Sequence, residues 1–198
     1  EGGEDENPTT DVKEDLDGDP ATTGDVHYNN ESIGDTIPFK IKTTVPDMRE
    51  YDRYQFALED TMEKGLTFNN DVSITVGSKT LTKGTLTNGM VTGGDYAVRV
   101  TLETQTTTKT DTKVEIIFGN FIQYKSQTGA DIIIKYTATL NEEAKIGTTG
   151  NKNTSSLKYS INPNQVGEKD DFEGTDPKGT TPESWTYTYV TGVKLTEV

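Results

Sequence analysis

The chain has 198 residues, with 19 Lys and Arg against 33 Asp and Glu, a formal net charge of −14, no cysteine and a single histidine, His27. Such a surface repels phosphate backbones and anionic lipid, which disfavours nucleic acids and membrane surfaces as partners. The missing thiols exclude disulfides, thiolate zinc sites and cysteine nucleophiles, and one histidine argues against a multi-His metal site or a Ser-His-Asp triad.

No apolar run approaches the roughly 20 residues of a membrane span. No signal peptide is visible, which leaves a cytosolic chain or a trimmed mature fragment. Apolar residues make up 30 % of the chain, while threonine occurs 35 times and tyrosine nine. Thr and Tyr suit pleated, half-buried strands and are poor in helix interiors. A thin core without disulfides, under a high net charge, needs some further source of stability.

In chain order, residues 1–8 read as a disordered acidic leader and 9–198 as one domain. The segment EDLDGDP places Asp15, Asp17 and Asp19 at alternate positions around a glycine. It reads either as a solvated turn or as a Ca²⁺ grip, although the glutamate that would complete an EF-hand loop is missing. Lys13, just before it, reads by itself as a solvated lysine. Short strands are predicted at 36–45, 54–60, 72–76, 95–103, 113–118, 131–140, 155–161 and 185–197. Phe39/Ile41, Tyr54/Phe56/Leu58 and Val98/Val100/Leu102 alternate with period two and each set shares a face. Lys40 and Lys42 have the opposite parity and face solvent. Turn signals separate these runs at 46–48, 69–71, 87–89, 92–94 and 162–164. The one helical turn is expected at 140–146, and 166–184 reads as a long polar surface loop. Eight short strands at this spacing predict an all-β fold, a β-sandwich.

Two polar residues stand at positions of interest. Asp60 continues the parity of Phe56 and Leu58, so it is either a deliberately buried acid or a cap on the following turn. A buried carboxyl is costly unless paired, and burial disfavours its charged form. Asn153 shares parity with Leu157 and Tyr159. It faces inward if its strand extends back that far, and is otherwise a turn asparagine.

The ordered segments IGDTIPFKIKTTVPD (33–47), FALEDTMEKGLTF (56–68), VEIIFGNF (114–121), ADIIIKYTATLNEEA (130–144), GNKNTSSLKYSINPN (150–164) and TPESWTYTYVTGVKLTEV (181–198) resemble the isopeptide-forming D2 domain of Gram-positive pilins and surface adhesins. The resemblance covers most of the chain from about residue 30. It implies an immunoglobulin-like sandwich of the collagen-adhesin type and a spontaneous Lys–Asn isopeptide bond promoted by a buried acid. On the family pattern Asp60 is the acid and Asn153 the amide, with Asn141 in YTATLNEEA as its rival. Lys13 is the amine, although it stands after the valine where the family's lysine precedes it. The implied function is a structural, non-enzymatic domain of a cell-wall-anchored pilin or adhesin. Its partners are neighbouring pilin subunits or domains of the same chain. The alternative is an adhesin domain that binds a host or partner protein or glycan. No cofactor is implied apart from the Ca²⁺ reading of Asp15, Asp17 and Asp19. There is no WxxxVxVYPK-type motif and no LPxTG signal, so no sortase-acceptor lysine is named. The stop at KLTEV, where a following domain begins in the family, implies a domain of a longer surface protein.

Overall fold

The period-two runs of the sequence become the inner faces of two packed sheets. The computed structural model describes residues 25–103 and 111–191. Within them lie β1 (Asp25–Glu31), β2 (Thr36–Thr44), β3 (Phe56–Met62), β4 (Leu66–Phe68), β5 (Ser73–Val76), β6 (Lys79–Thr80), β7 (Thr85–Thr87), β8 (Met90–Thr92), β9 (Tyr96–Glu103), β10 (Asp111–Phe118), β11 (Asp131–Leu140), β12 (Asn151–Ser160), β13 (Lys178–Thr180) and β14 (Ser184–Val190). A seven-stranded sheet runs β1-β14-β12-β3-β10-β9, with β13 added beside β12. A five-stranded sheet runs β2-β11-β5-β6, with β4 beside β11. All of these pairings are antiparallel except β1 with β14. The predicted all-β immunoglobulin-like sandwich is the fold observed.

The core lies between the sheets. Ile37, Phe39 and Ile41 of β2 and Ile132, Ile134, Tyr136, Ala138 and Leu140 of β11 point inward from the smaller sheet. Phe56, Leu58 and Met62 of β3, Val114, Ile116 and Phe118 of β10 and Leu157 of β12 meet them from the larger one. Lys40 and Lys42 alternate with buried neighbours and are half-buried. The outer face of the large sheet carries a ladder of charge. Arg99 pairs with Glu115 at 2.5 Å and Lys113 with Glu59 at 3.6 Å, while Lys158 also binds Glu59.

The helical turn expected at 140–146 is not there. Asn141 Oδ1 accepts the Glu143 N–H at 2.8 Å, and this side-chain turn diverts the backbone. A 3₁₀ helix forms instead at Phe121–Gln127. Three residues per turn bring Phe121 and Tyr124 together edge to face, with ring centroids 5.4 Å apart, and both are buried. Phe121 lies flat against Phe56 at 4.4 Å, so the helix closes one end of the core. The strand predicted from Ser155 begins at Asn151, and the one predicted from Tyr54 begins at Phe56. The 166–184 loop is shorter than expected, because it contains β13 and yields to β14 at Ser184. Asn88 and Gly89, with φ of 51° and 77°, supply the two left-handed residues of a tight hairpin between β7 and β8.

A buried acid and a buried amide form the candidate site

Asp60 sits in the interior of β3, opposite Val114 of β10 and Ser155 of β12. Its side chain is fully buried. It is therefore the buried acid of the two sequence readings, and the strand continues past it to Met62. Tyr136 reaches across from β11 in the opposite sheet and donates its hydroxyl to Asp60 Oδ2. Phe39 and Phe68 flank the Tyr136 ring, at 5.6 and 6.1 Å between centroids. The acid thus lies at the interface of the two sheets.

Asn153 lies on the neighbouring strand. It is fully buried, opposite Met62 of β3 and Thr186 of β14. Asp60 faces Ser155, so Asn153 is its diagonal neighbour on the same inward face, about 7–8 Å away by ordinary sheet geometry. Among the described residues, neither Oδ1 nor Nδ2 of Asn153 has a hydrogen-bond partner. A buried carboxamide left in that state costs about 1–3 kcal/mol for each unmet group.

Among the described residues the other two buried amides, Asn151 and Gln55, are both hydrogen-bonded. Asn151 Oδ1 accepts the Lys145 N–H at 2.9 Å, and its Nδ2 donates to the carbonyls of Lys145 and Thr188, both at 3.1 Å. Gln55 Nε2 donates to the carbonyl of Lys169 at 2.8 Å and to Asp176 Oδ2 at 3.1 Å, while Oε1 accepts from Gly167 N at 3.3 Å. Asn141, the rival, is half-buried at the end of β11. Its Nδ2 donates to the Lys64 carbonyl at 2.8 Å and to Thr67 Oγ1 at 2.9 Å. The structure brings Asp60 and Asn153 together on one face and gives Asn141 to a surface turn.

Lys13, Asp15, Asp17 and Asp19 lie outside the described residues, as does the 1–8 leader. Among the described residues no cluster of three or more His, Asp or Glu could hold a metal ion. No helix there is long and apolar enough to cross a membrane. Tyr136 is the site residue that the sequence reading did not single out. Its signal is a phenol on the otherwise apolar inward face of a strand, since a buried tyrosine hydroxyl demands a partner.

Comparison with known proteins gives this site its context. Residues 33–163 match the family described as Gram-positive pilin backbone subunit 2, Cna-B-like domain. The fold is similar to the T6 backbone pilin of serotype M6 Streptococcus pyogenes, with a TM-score of 0.57 and 19 % identity over 92 % of this chain and 36 % of that one. It is also similar to a C-terminal fragment of the major pilin of Streptococcus agalactiae, at TM-score 0.52 and 20 % identity over 92 % and 56 % of the two chains. The major pilin subunit of Bacillus cereus gives 0.52 and 16 % over 92 % and 40 %. The chain thus covers 36 % and 40 % of the Streptococcus pyogenes and Bacillus cereus chains and 56 % of the Streptococcus agalactiae fragment. A search of curated proteins returned no match.

Proposed function

Since the chain belongs to the Gram-positive pilin backbone subunit 2, Cna-B-like domain family, we propose that it is a load-bearing structural domain of a surface pilin, locked by an isopeptide bond between Lys13 and Asn153. The observation that carries this reading is Asn153 itself, a fully buried carboxamide with neither polar atom partnered, diagonal to the buried Asp60. An amide whose nitrogen is to be replaced by a lysine has no need of a fixed hydrogen-bonding shell of its own.

The chemistry needs an uncharged amine, a polarised carbonyl and a proton carrier. An apolar interior disfavours ammonium and carboxylate alike, so it favours a neutral lysine and a protonated Asp60. Asp60 lends its proton to the Asn153 amide oxygen as the Lys13 nitrogen adds to Cγ. It then takes a proton from the added nitrogen and passes it to Nδ2. The Cγ–Nδ2 bond breaks, Nδ2 leaves as ammonia, and the proton on the oxygen returns to Asp60. One bond is exchanged for another, and the acid ends as it began. Holding all three groups in one core replaces a bimolecular encounter by a local one, which supplies the rate.

The domain's place is the pilus surface, and its partners are neighbouring subunits and the flanking domains of its own chain. Peptide mapping tests the bond. The expected product is a branched peptide joining the Lys13 and Asn153 regions, absent from Asn153→Ala. A branch through Asn141 reassigns the amide, and two linear peptides refute the bond.

A further inference from the structure

We infer that Tyr136 is a positioning residue for this chemistry, fixing through which oxygen Asp60 moves its proton; the inference rests on the cross-linking reading above. Tyr136 is buried on β11, in the sheet opposite Asp60. Its hydroxyl donates to Asp60 Oδ2, across the interface between the sheets. Strand neighbours of Tyr136 at the same parity are Ile134 and Ala138, which carry no polar group. The phenol is therefore an exception within its own strand, and a phenylalanine would satisfy the packing between Phe39 and Phe68 equally well.

A carboxyl group has two oxygens and rotates about its last torsion with a broad, roughly two-fold preference. In an unrestrained side chain either oxygen can carry the proton. Donation from Tyr136 makes Oδ2 an acceptor, and the carbonyl oxygen is the better acceptor of a carboxyl group, so this bond favours the arrangement with the acidic proton on the other oxygen. The proton then resides on Oδ1, and each transfer to or from the Asn153 amide passes through that one atom. The same bond ties the acid on β3 to the second sheet, so the carboxyl plane is set by both layers of the sandwich. Cross-linking competence therefore arises only once the two sheets have packed. A chain with unpacked sheets lacks the oriented acid, which protects the amide from reaction in the wrong partnership.

Tyr136→Phe separates this role from ring packing. Freshly translated protein is followed by intact mass, and the fraction that has lost ammonia is read against time. Wild type is expected to convert at least tenfold faster than Tyr136→Phe. Packing is checked in the Asn153→Ala background, where neither protein can cross-link: both should unfold in one cooperative transition, Tyr136→Phe somewhat lower because the hydrogen bond to buried Asp60 is lost. The Asp60 carboxyl stretch, isolated in that background by difference from Asp60→Ala, gives a second reading. Loss of the donor should raise its frequency, and Tyr136→3-fluorotyrosine, which keeps the hydroxyl and donates more strongly, should lower it. This second variant also serves if Tyr136→Phe does not fold. Equal conversion rates, or a carboxyl stretch unmoved by either substitution, overturn the role of Tyr136 while leaving the cross-link intact. Wild-type protein that keeps its ammonia overturns both.

Discussion

Parity along a strand decides which polar side chains matter in this molecule. Asp60 shares its face with Leu58 and Met62, and Asn153 shares its face with Leu157 and Tyr159; both are buried as that parity requires. Asp60→Ala is expected to give a folded sandwich that retains its ammonia, since the carboxyl serves chemistry, at a cost of about 1–3 kcal/mol for the hydrogen bond with Tyr136 that it removes. Normal ammonia loss in that variant, read by intact mass, would make Asp60 a structural residue only. Asn141→Ala should instead still cross-link, and lose about 1 kcal/mol of stability from the 64–67 turn it ties down. The parity of Asp60 and Asn153 was legible in the sequence. Their adjacency was not, because it depends on the register of β3 against β12, which is set by tertiary packing between segments far apart in the chain. Tyr136 was hidden for the same reason, as its hydroxyl finds its partner in the other sheet.

Among the elements, long alternating strands such as β2 and β11 could be read almost to their ends, since one face of each is buried at every second residue and mostly apolar. Strands of two or three residues, such as β6, β7, β8 and β13, carry too few alternations to register as a pattern. The 3₁₀ helix rests on the single Phe121–Tyr124 pair, too short a period to distinguish from a turn. The loop at 161–177 shows how a polar segment is nevertheless ordered. Gln55 holds the Lys169 carbonyl and Asp176, Arg99 grips Asp171 at 2.6 Å, and Asp170 accepts from the backbone of Val91 and Asn120. Gln55→Ala should cost about 1–3 kcal/mol, because the groups it satisfies lie partly buried. Limited proteolysis should then cut first within 161–177, and an unchanged cleavage pattern would show that the loop is held without Gln55. The charge ladder beside it governs acid stability. Burial alone would raise the Glu59 carboxyl, but hydrogen bonding and charge from Lys158, and then Lys113, outweigh it and hold the group below its ordinary value of 4.5. A carboxyl depressed in the folded state contributes stability above its unfolded value and loses it as pH falls through the folded one. The Glu59 contribution is therefore complete at neutral pH and declines below about pH 4.5. Denaturant melts of Asn153→Ala against Asn153→Ala with Glu59→Gln should converge in that acid range, and a gap that stays constant down to low pH would contradict the pairing.

For the molecule as a whole, the question is how a sandwich with 30 % apolar residues and a net charge of −14 holds together without disulfides. A bond from residue 13 to residue 153 closes a loop of about 140 residues, and in the chain-entropy account of disulfides such a closure restricts the unfolded ensemble by roughly 4–5 kcal/mol. Domains of this kind have total stabilities on the order of 5–15 kcal/mol, so the bond would supply a large share. At roughly 2–4 °C per kcal/mol for a domain of this size, Asn153→Ala should melt about 10–20 °C below wild type. Equal melting temperatures would mean that the bond is absent or idle. The most direct measurement is the intact mass of the purified, denatured wild-type chain. The expected mass is lower than that of the sequence by one ammonia, with Asp60→Ala and Asn153→Ala at their full sequence masses; a wild-type chain at its full sequence mass would contradict the cross-link.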